Sequence, residues 1–360
     1  MPAWLDKLGG LMDRAGGLMR HLGNLESSAH RDALDEIAID RPIYVSGLAR
    51  SGSTILLEML ARHPDAATHR YRDLPPVMTP IFWNKAFGQT YGKGAAPVER
   101  AHKDRIMVTP DSPEALEEIL WMAFFEDCHD PGKDNILDRM TSNSAFEAFY
   151  RDHLRKILLI RGGRRYLSKG NYNITRIGYL QKLFPDARFI VPVRDPTWHV
   201  ASLMKQHRLF YQEEERDPRI LRYMQRIGHF EFGLDRRVTN TGDSERARSI
   251  EAFWQSGQEV RGWARLWASL YGFLHAQLAR DEVLRQHTLI VRYEDLCNMP
   301  RETLARVFDH AGLELSPTLH AGLTGELSQP TYYQPSFTAD EKKAIREETE
   351  ETATLLGYTD

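Results

Sequence analysis

The chain has 360 residues, 42% of them hydrophobic and 27% charged, with a formal net charge of −3. That length can bury a sizeable core in one large domain or two smaller ones, and the near balance of charge removes any global case for a nucleic-acid partner. No apolar run reaches the roughly 18 residues that a membrane span needs, and Cys128 and Cys297 lack metal or redox spacing, which reads as a reducing compartment.

At the N-terminus, Trp4, Leu8, Leu11, Ala15, Leu18, Leu22 and Leu25 recur at alternating spacings of four and three, a heptad stripe on a helix. Gly9, Gly10, Gly16 and Gly17 each weaken an isolated helix by about 1 kcal/mol relative to Ala, so this one needs a surface to lie on. Two surfaces suit it: its own domain or a sister subunit in a homodimer, and a membrane face touched by residues 4–25 with Lys7, Arg14 and Arg20. The segment lacks the continuous apolar stretch of a signal peptide. The expectation is a cytoplasmic protein, with peripheral membrane contact as the alternative for this helix.

Residues 43–47 (IYVSG) form an apolar strand before a glycine loop, and residues 53–62 continue with helical spacing through Leu56, Leu57 and Leu60. A Pro-containing stretch (73–80) leads into a polar, Gly-rich loop or lid reaching to about residue 110. Helical patterns cover 113–127, with Pro first and acids in the first turn, and then 145–160. A strand at 166–170, a helix at 174–184 and the nearly all-apolar strand RFIVPV at 188–193 follow in βαβ rhythm. A further helix opens at Pro196, residues 208–249 read as charged and irregular, and one long helix carries Trp254, Trp263 and Trp267. The strand 288–295 and the helix 300–313, closed near Gly312, complete the pattern before a charged tail. This is one α/β domain over 41–315 with helical insertions at about 81–160 and 208–285, preceded by a helical segment (1–40) and followed by a loop and helix (316–360).

The chemistry concentrates in Gly47-Leu48-Ala49-Arg50-Ser51-Gly52-Ser53-Thr54. Such a loop between strand and helix aims backbone N–H groups at an anion, helped by the helix dipole. Ser51, Gly52, Ser53 and Thr54 supply those donors. A triphosphate-binding loop would place Lys where Ser53 stands, and no apolar strand ends in a magnesium-binding Asp; Asp195, between Arg194 and Pro196, comes closest. A phosphate held without metal needs fixed cations, and Arg50 is the first candidate. Arg194 at a strand end and Ser202 two turns into the next helix can bracket a second phosphate.

In three stretches the chain resembles sulfotransferases that use 3′-phosphoadenosine-5′-phosphosulfate (PAPS): GLARSGSTILLEMLARHPD, SKGNYNITRIGYLQKLFPDARFIVPVRDPTWHVAS and IVRYEDLCNMPRETLARVFDHAGL. The flavour is that of the bacterial group and of tyrosylprotein sulfotransferases. The resemblance implies a P-loop-like three-layer α/β/α fold with a central, mainly parallel sheet. It implies transfer of a sulfuryl group to a hydroxyl, with adenosine 3′,5′-bisphosphate as product and no metal. It assigns the first loop to the 5′-phosphosulfate, with Arg50 as catalytic cation and Ser51 to Thr54 on the 5′-phosphate. Arg194 and Ser202 take the 3′-phosphate, Lys169 is a second catalytic cation, and Tyr293 lies beside the adenine.

Tyr71 stands where the tyrosylprotein relatives carry an acid, which leaves Asp73 and His69 as substitutes for the general base, Asp73 preferred. Arg70 and Arg72 suit an acidic acceptor equally, and Asn171 is another polar group near Lys169. The expected acceptor is a carbohydrate, a glycolipid or other lipid, or a small metabolite. A kinase with a degenerate phosphate loop and a non-catalytic nucleotide- or glycan-binding protein are the competing readings.

Overall fold

The computed structural model describes residue 10 and residues 16–88, 94–103, 106–327 and 334–358. A five-stranded sheet runs in the order β2–β5–β1–β6–β7, built from β1 (Ile43–Ser46), β2 (Ala66–Ala67), β5 (Arg165–Gly170), β6 (Arg188–Val193) and β7 (Thr288–Arg292). Every pairing in it is parallel. A short antiparallel pair, β3 (Val98–Glu99) with β4 (Met107–Val108), stands apart from it.

Side chains along a strand alternate between faces, so a sheet covered by helices on both sides needs two apolar cores. Ile43 and Val45 join Leu56, Leu60, Leu304 and Phe308 in one cluster. Tyr44 joins Phe189, Trp121 and Trp267 in the other. The fold is thus α/β with a parallel central sheet between helical layers. From β1 the chain passes to β2 and β5 on one side, then to β6 and β7 on the other. The carboxyl end of β1 therefore lies at the topological switch point, where open α/β sheets take their ligands.

Several elements depart from the sequence reading. Of the N-terminal stripe, Trp4, Leu8, Leu11 and Ala15 lie outside the described residues. In the helix Gly16–Ala29, Leu18 and Leu25 are 55% and 47% exposed, while Gly23, Glu26 and Ser27 form the buried face. The helix docks on its own chain through polar and small residues. Lys156 of the helix Ser144–Arg161 donates to the Gly23 carbonyl at 2.7 Å and pairs with buried Glu26 at 3.2 Å. Gly23 is required by closeness, because a Cβ there would lie 2.6 Å from the Phe149 ring.

The helix expected over 113–127 covers only Glu118–Phe124. Residues 112–114 instead pair with 69–71: Tyr71 N–H donates to the Ser112 carbonyl at 3.1 Å and Glu114 N–H to that of His69 at 3.0 Å. The region 208–249 is more regular than expected, since the helix Pro196–Arg216 runs through its start and Pro218–Arg226 follows behind the Asp217 cap. The tryptophan helix is two, Ser244–Gln255 and Glu259–Arg280, broken at left-handed Gly257. The last strand stops at Arg292, and Tyr293 opens the helix Tyr293–Asn298. In the C-terminal loop and helix, residues 328–333 lie outside the described residues, and the helix Ala339–Leu355 follows them. Among the described residues no helix is long and apolar enough to cross a membrane.

Candidate active site

Buried β1 delivers the glycine loop to the switch point, and the helix Ser53–Leu60 carries the chain away. The loop turns sharply: Arg50 and Gly52 have φ of 73° and 106°. The left-handed region is strained for a side-chain-bearing residue, so Arg50 is held there by its surroundings. One such support is His199, whose Nε2 donates to the Ala49 carbonyl at 2.8 Å. Gly52 is required twice, by its φ and because a Cβ would lie 2.6 Å from the Tyr293 ring.

Three of the residues singled out in the sequence close around this loop. Arg50 Nε donates to Ser202 Oγ at 3.3 Å. The Arg194 guanidinium lies 4.7 Å from the centre of the Tyr293 ring, a cation–π contact that ties the end of β6 to the end of β7. Glu294 accepts from Asp195 N–H at 3.0 Å and from the Tyr358 hydroxyl at 2.7 Å, pinning both turns to the C-terminal segment. Lys169 stands level with Val45 on the neighbouring strand β5. Burial lowers its pKa; Glu114 opposes that shift, while Arg100 and Arg50 add to it.

Lys169 also lines a cavity of about 670 Å³. Its polar wall includes Arg100, His102, Glu114, Asn171 and Glu231, and its apolar wall is larger, with Leu116, Phe210, Ile220 and Met224 among its members. Asn171 donates to Glu231 at 2.6 Å. Arg100 joins cavity to loop, since its guanidinium donates to Thr54 Oγ1 at 3.2 Å. The half-buried His102 ring packs against Phe210 and His229. Burial, then Arg100, His229, Arg50 and Lys169, hold its pKa well below the ordinary histidine value. Arg100, His102, Glu114 and Glu231 carry no motif in the sequence. Only the general rule that cavities collect titratable groups points to them.

Asp73 and His69 are absent from this cavity wall. Asp73, 2% exposed, is ion-paired to Arg161 and accepts from Arg70 N–H at 2.8 Å. His69, 1% exposed, faces His153 with 2.8 Å between their Nε2 atoms, and burial lowers its pKa to about 4. Both serve the packing between the 69–73 turn and the helix Ser144–Arg161. Arg70 and Arg72 pair with Asp111 at 3.1 and 2.7 Å, so neither stands ready for an anionic acceptor. The arginines between 219 and 237 are likewise engaged: Arg219 with Asp217, Arg236 with Glu259 and Arg237 with Asp235.

Among the described residues, one group has ligand atoms close enough for a metal: Glu118, Cys128 and His129. There Arg176 already forks onto both Glu118 oxygens at 2.8 and 2.9 Å. Burial would raise the Glu118 pKa, but Arg176 and His129 outweigh it and hold the group at about 2. Burial pushes the Cys128 thiol up to about 11, so it is not a ready thiolate ligand.

A donor loop at a switch point, fixed cations and an adjoining cavity suit a phosphorylated donor and a second substrate. The fold is similar to that of sulfotransferase STF1 from Mycobacterium tuberculosis H37Rv, at 17% identity over 96% of this chain and 86% of that one, with a TM-score of 0.53. It is also similar to sulfotransferase STF9 from Mycobacterium avium, at 16% identity over 92% and 81%, with a TM-score of 0.55. No curated protein matches the sequence. The sulfotransferase family model matches residues 42–237, more than half of the chain, a span that includes the loop, Lys169, Arg194 and Ser202. The chain belongs to the sulfotransferase family.

Proposed function

We propose that this protein transfers the sulfuryl group of PAPS to an acceptor hydroxyl held in the cavity beside Lys169. The observation that carries this reading is the pairing of Val45 with Lys169, which sets a half-buried cation next to the phosphate loop and inside the cavity wall. PAPS would supply an activated sulfur whose leaving group is a phosphate oxygen. The residues present fit such a donor. The helix Ser53–Leu60 opens behind left-handed Gly52 and directs the N–H groups of its first turn toward the loop, Gly52 leaves no Cβ in the way, and Arg50, Arg194, Lys169 and Arg100 offer fixed positive charge without metal.

In this reading Ser51 to Thr54 hold the 5′-phosphate, and Arg50 with Lys169 stabilise charge on the departing oxygen. Arg194 and Ser202 hold the 3′-phosphate, and Tyr293 flanks the base. The acceptor oxygen bonds to sulfur as the sulfur–phosphate oxygen bond breaks, and its proton passes to a base. We assign that base to His102. It lines the cavity, and its Nδ1 is buried without a hydrogen-bond partner among the described residues. Its neighbours keep it neutral and able to accept a proton.

The test is calorimetric titration of adenosine 3′,5′-bisphosphate with and without Mg²⁺, followed by transfer from labelled PAPS to a hydroxyl panel. Tight, Mg²⁺-independent binding with turnover supports the proposal. Binding of ATP that depends on Mg²⁺ would replace it with a kinase reading. Nucleotide binding without any turnover would leave a non-catalytic binder.

A further inference from the structure

A second cavity, of about 570 Å³, lies between the helices Gly16–Ala29 and Pro218–Arg226. It shares Leu74, Tyr223 and Ile227 with the cavity beside Lys169, so those three side chains form a common wall between the two spaces. Beyond them its wall is largely thioether and aliphatic, from Met19, Val77, Met78, Ile119 and Met122. The charge is segregated. Lys169, Arg100, Glu114 and Glu231 belong to the first cavity, and in the second only Arg222 and Arg226 are charged. A cavity whose wall carries Lys169, Arg100, Glu114 and Glu231, beside one whose wall is methionine-rich and holds few charged groups, matches a molecule with one polar end and a long apolar body.

We propose that the acceptor is a long-chain amphiphilic alcohol. Its hydroxyl lies beside Lys169, and its chain passes Leu74, Tyr223 and Ile227 into the second cavity beneath the N-terminal helix. The role of the hydroxyl rests on the sulfotransfer reading: its oxygen gains the sulfuryl group, its proton goes to the base, and adenosine 3′,5′-bisphosphate leaves. The path of the chain rests on the cavities alone. The N-terminal helix thereby gains a function, because Gly16 and Met19 form part of the lining.

The test separates the two readings by measuring binding apart from turnover. Straight-chain primary alcohols of increasing length are titrated into the full chain saturated with adenosine 3′,5′-bisphosphate. Affinity should rise by roughly fourfold per methylene while the chain is being buried. In Met122→Trp, with fold verified by thermal melting, that gain should stop short, and the longest alcohol should bind at least tenfold more weakly than to the native chain. Affinity independent of length, or a folded Met122→Trp with undiminished long-chain affinity, would overturn the proposal. A long-chain alcohol with a terminal diazirine gives a readout that needs no variant. Crosslinks at Met19, Ile119 or Met122 support the path, and crosslinks confined to the first cavity overturn it. Failure of transfer despite length-dependent binding would count against the sulfotransfer reading and leave the alcohol site standing.

Discussion

Arg50 and Ser202 touch: the guanidinium Nε donates to Ser202 Oγ at 3.3 Å, joining the loop after β1 to the second turn of the helix after β6. The motif resemblance assigns these two residues to opposite ends of a nucleotide, yet their side chains meet directly. Ser202 is the acceptor in that contact, and a serine hydroxyl accepts and donates at once, so its own O–H can serve a phosphate in the proposed reading while Arg50 stays bonded to it.

Arg50→Ala should lower single-turnover transfer by roughly 10²–10³-fold, the scale of losing one preorganised charge at a leaving oxygen. Arg50→Lys keeps the charge but loses the Nε donor to Ser202, and should fall between Ala and the native chain. Rapid-quench assays with saturating donor measure both. A native rate in Arg50→Ala would remove the residue from the chemistry.

Arg194→Ala should weaken adenosine 3′,5′-bisphosphate by about 2–4 kcal/mol, the cost of an uncompensated phosphate. A nucleotide lacking the 3′-phosphate should bind both proteins alike. Calorimetry on the two ligands gives the comparison, and equal losses on both would point to collapse of the Arg194–Tyr293 stack.

The pH profile of kcat/KM should be shifted on both sides. Burial and the cations around His102 lower its pKa, so the base stays neutral until well below the ordinary histidine range, and the acid limb moves down. Burial lowers the Lys169 pKa as well, so loss of that cation brings the alkaline limb in below the usual lysine value. His102→Gln should remove the acid limb along with most of the rate. An unaltered limb in that variant would pass the role to Glu114, on the same wall.

Asp73→Asn should behave as a stability variant. Its carboxylate neutralises buried Arg161, and leaving that guanidinium unpaired costs about 3–5 kcal/mol. Denaturant melts should show the loss, while kcat per folded molecule stays within about twofold. A large fall in kcat at unchanged stability would restore Asp73 as the base.

The loop geometry, the spacing of Arg194 and Ser202 and the order of strands and helices were legible in the sequence because each is a local property. Gly52, Pro196 and Gly312 act through their own backbone, and the alternation at Ile43, Tyr44 and Val45 needs only a sheet to express it. Leu18 and Leu25 of the N-terminal stripe are exposed because a heptad pattern describes a helix, not the side it buries. Docking was decided by Gly23 fitting beneath Phe149 and by the Lys156–Glu26 pair.

By itself the sequence determined an α/β chain with a lysine-free glycine loop between its first strand and helix, since periodicity and backbone conformation act over a few residues. Only the tertiary structure decided which titratable groups share one cavity. Asp73 and Glu114 are both acids of the stretch between the loop and β5, but one turns into a buried ion pair and the other into the cavity. That choice depends on which distant charge, Arg161 or Lys169, burial brings alongside, and no local pattern records it.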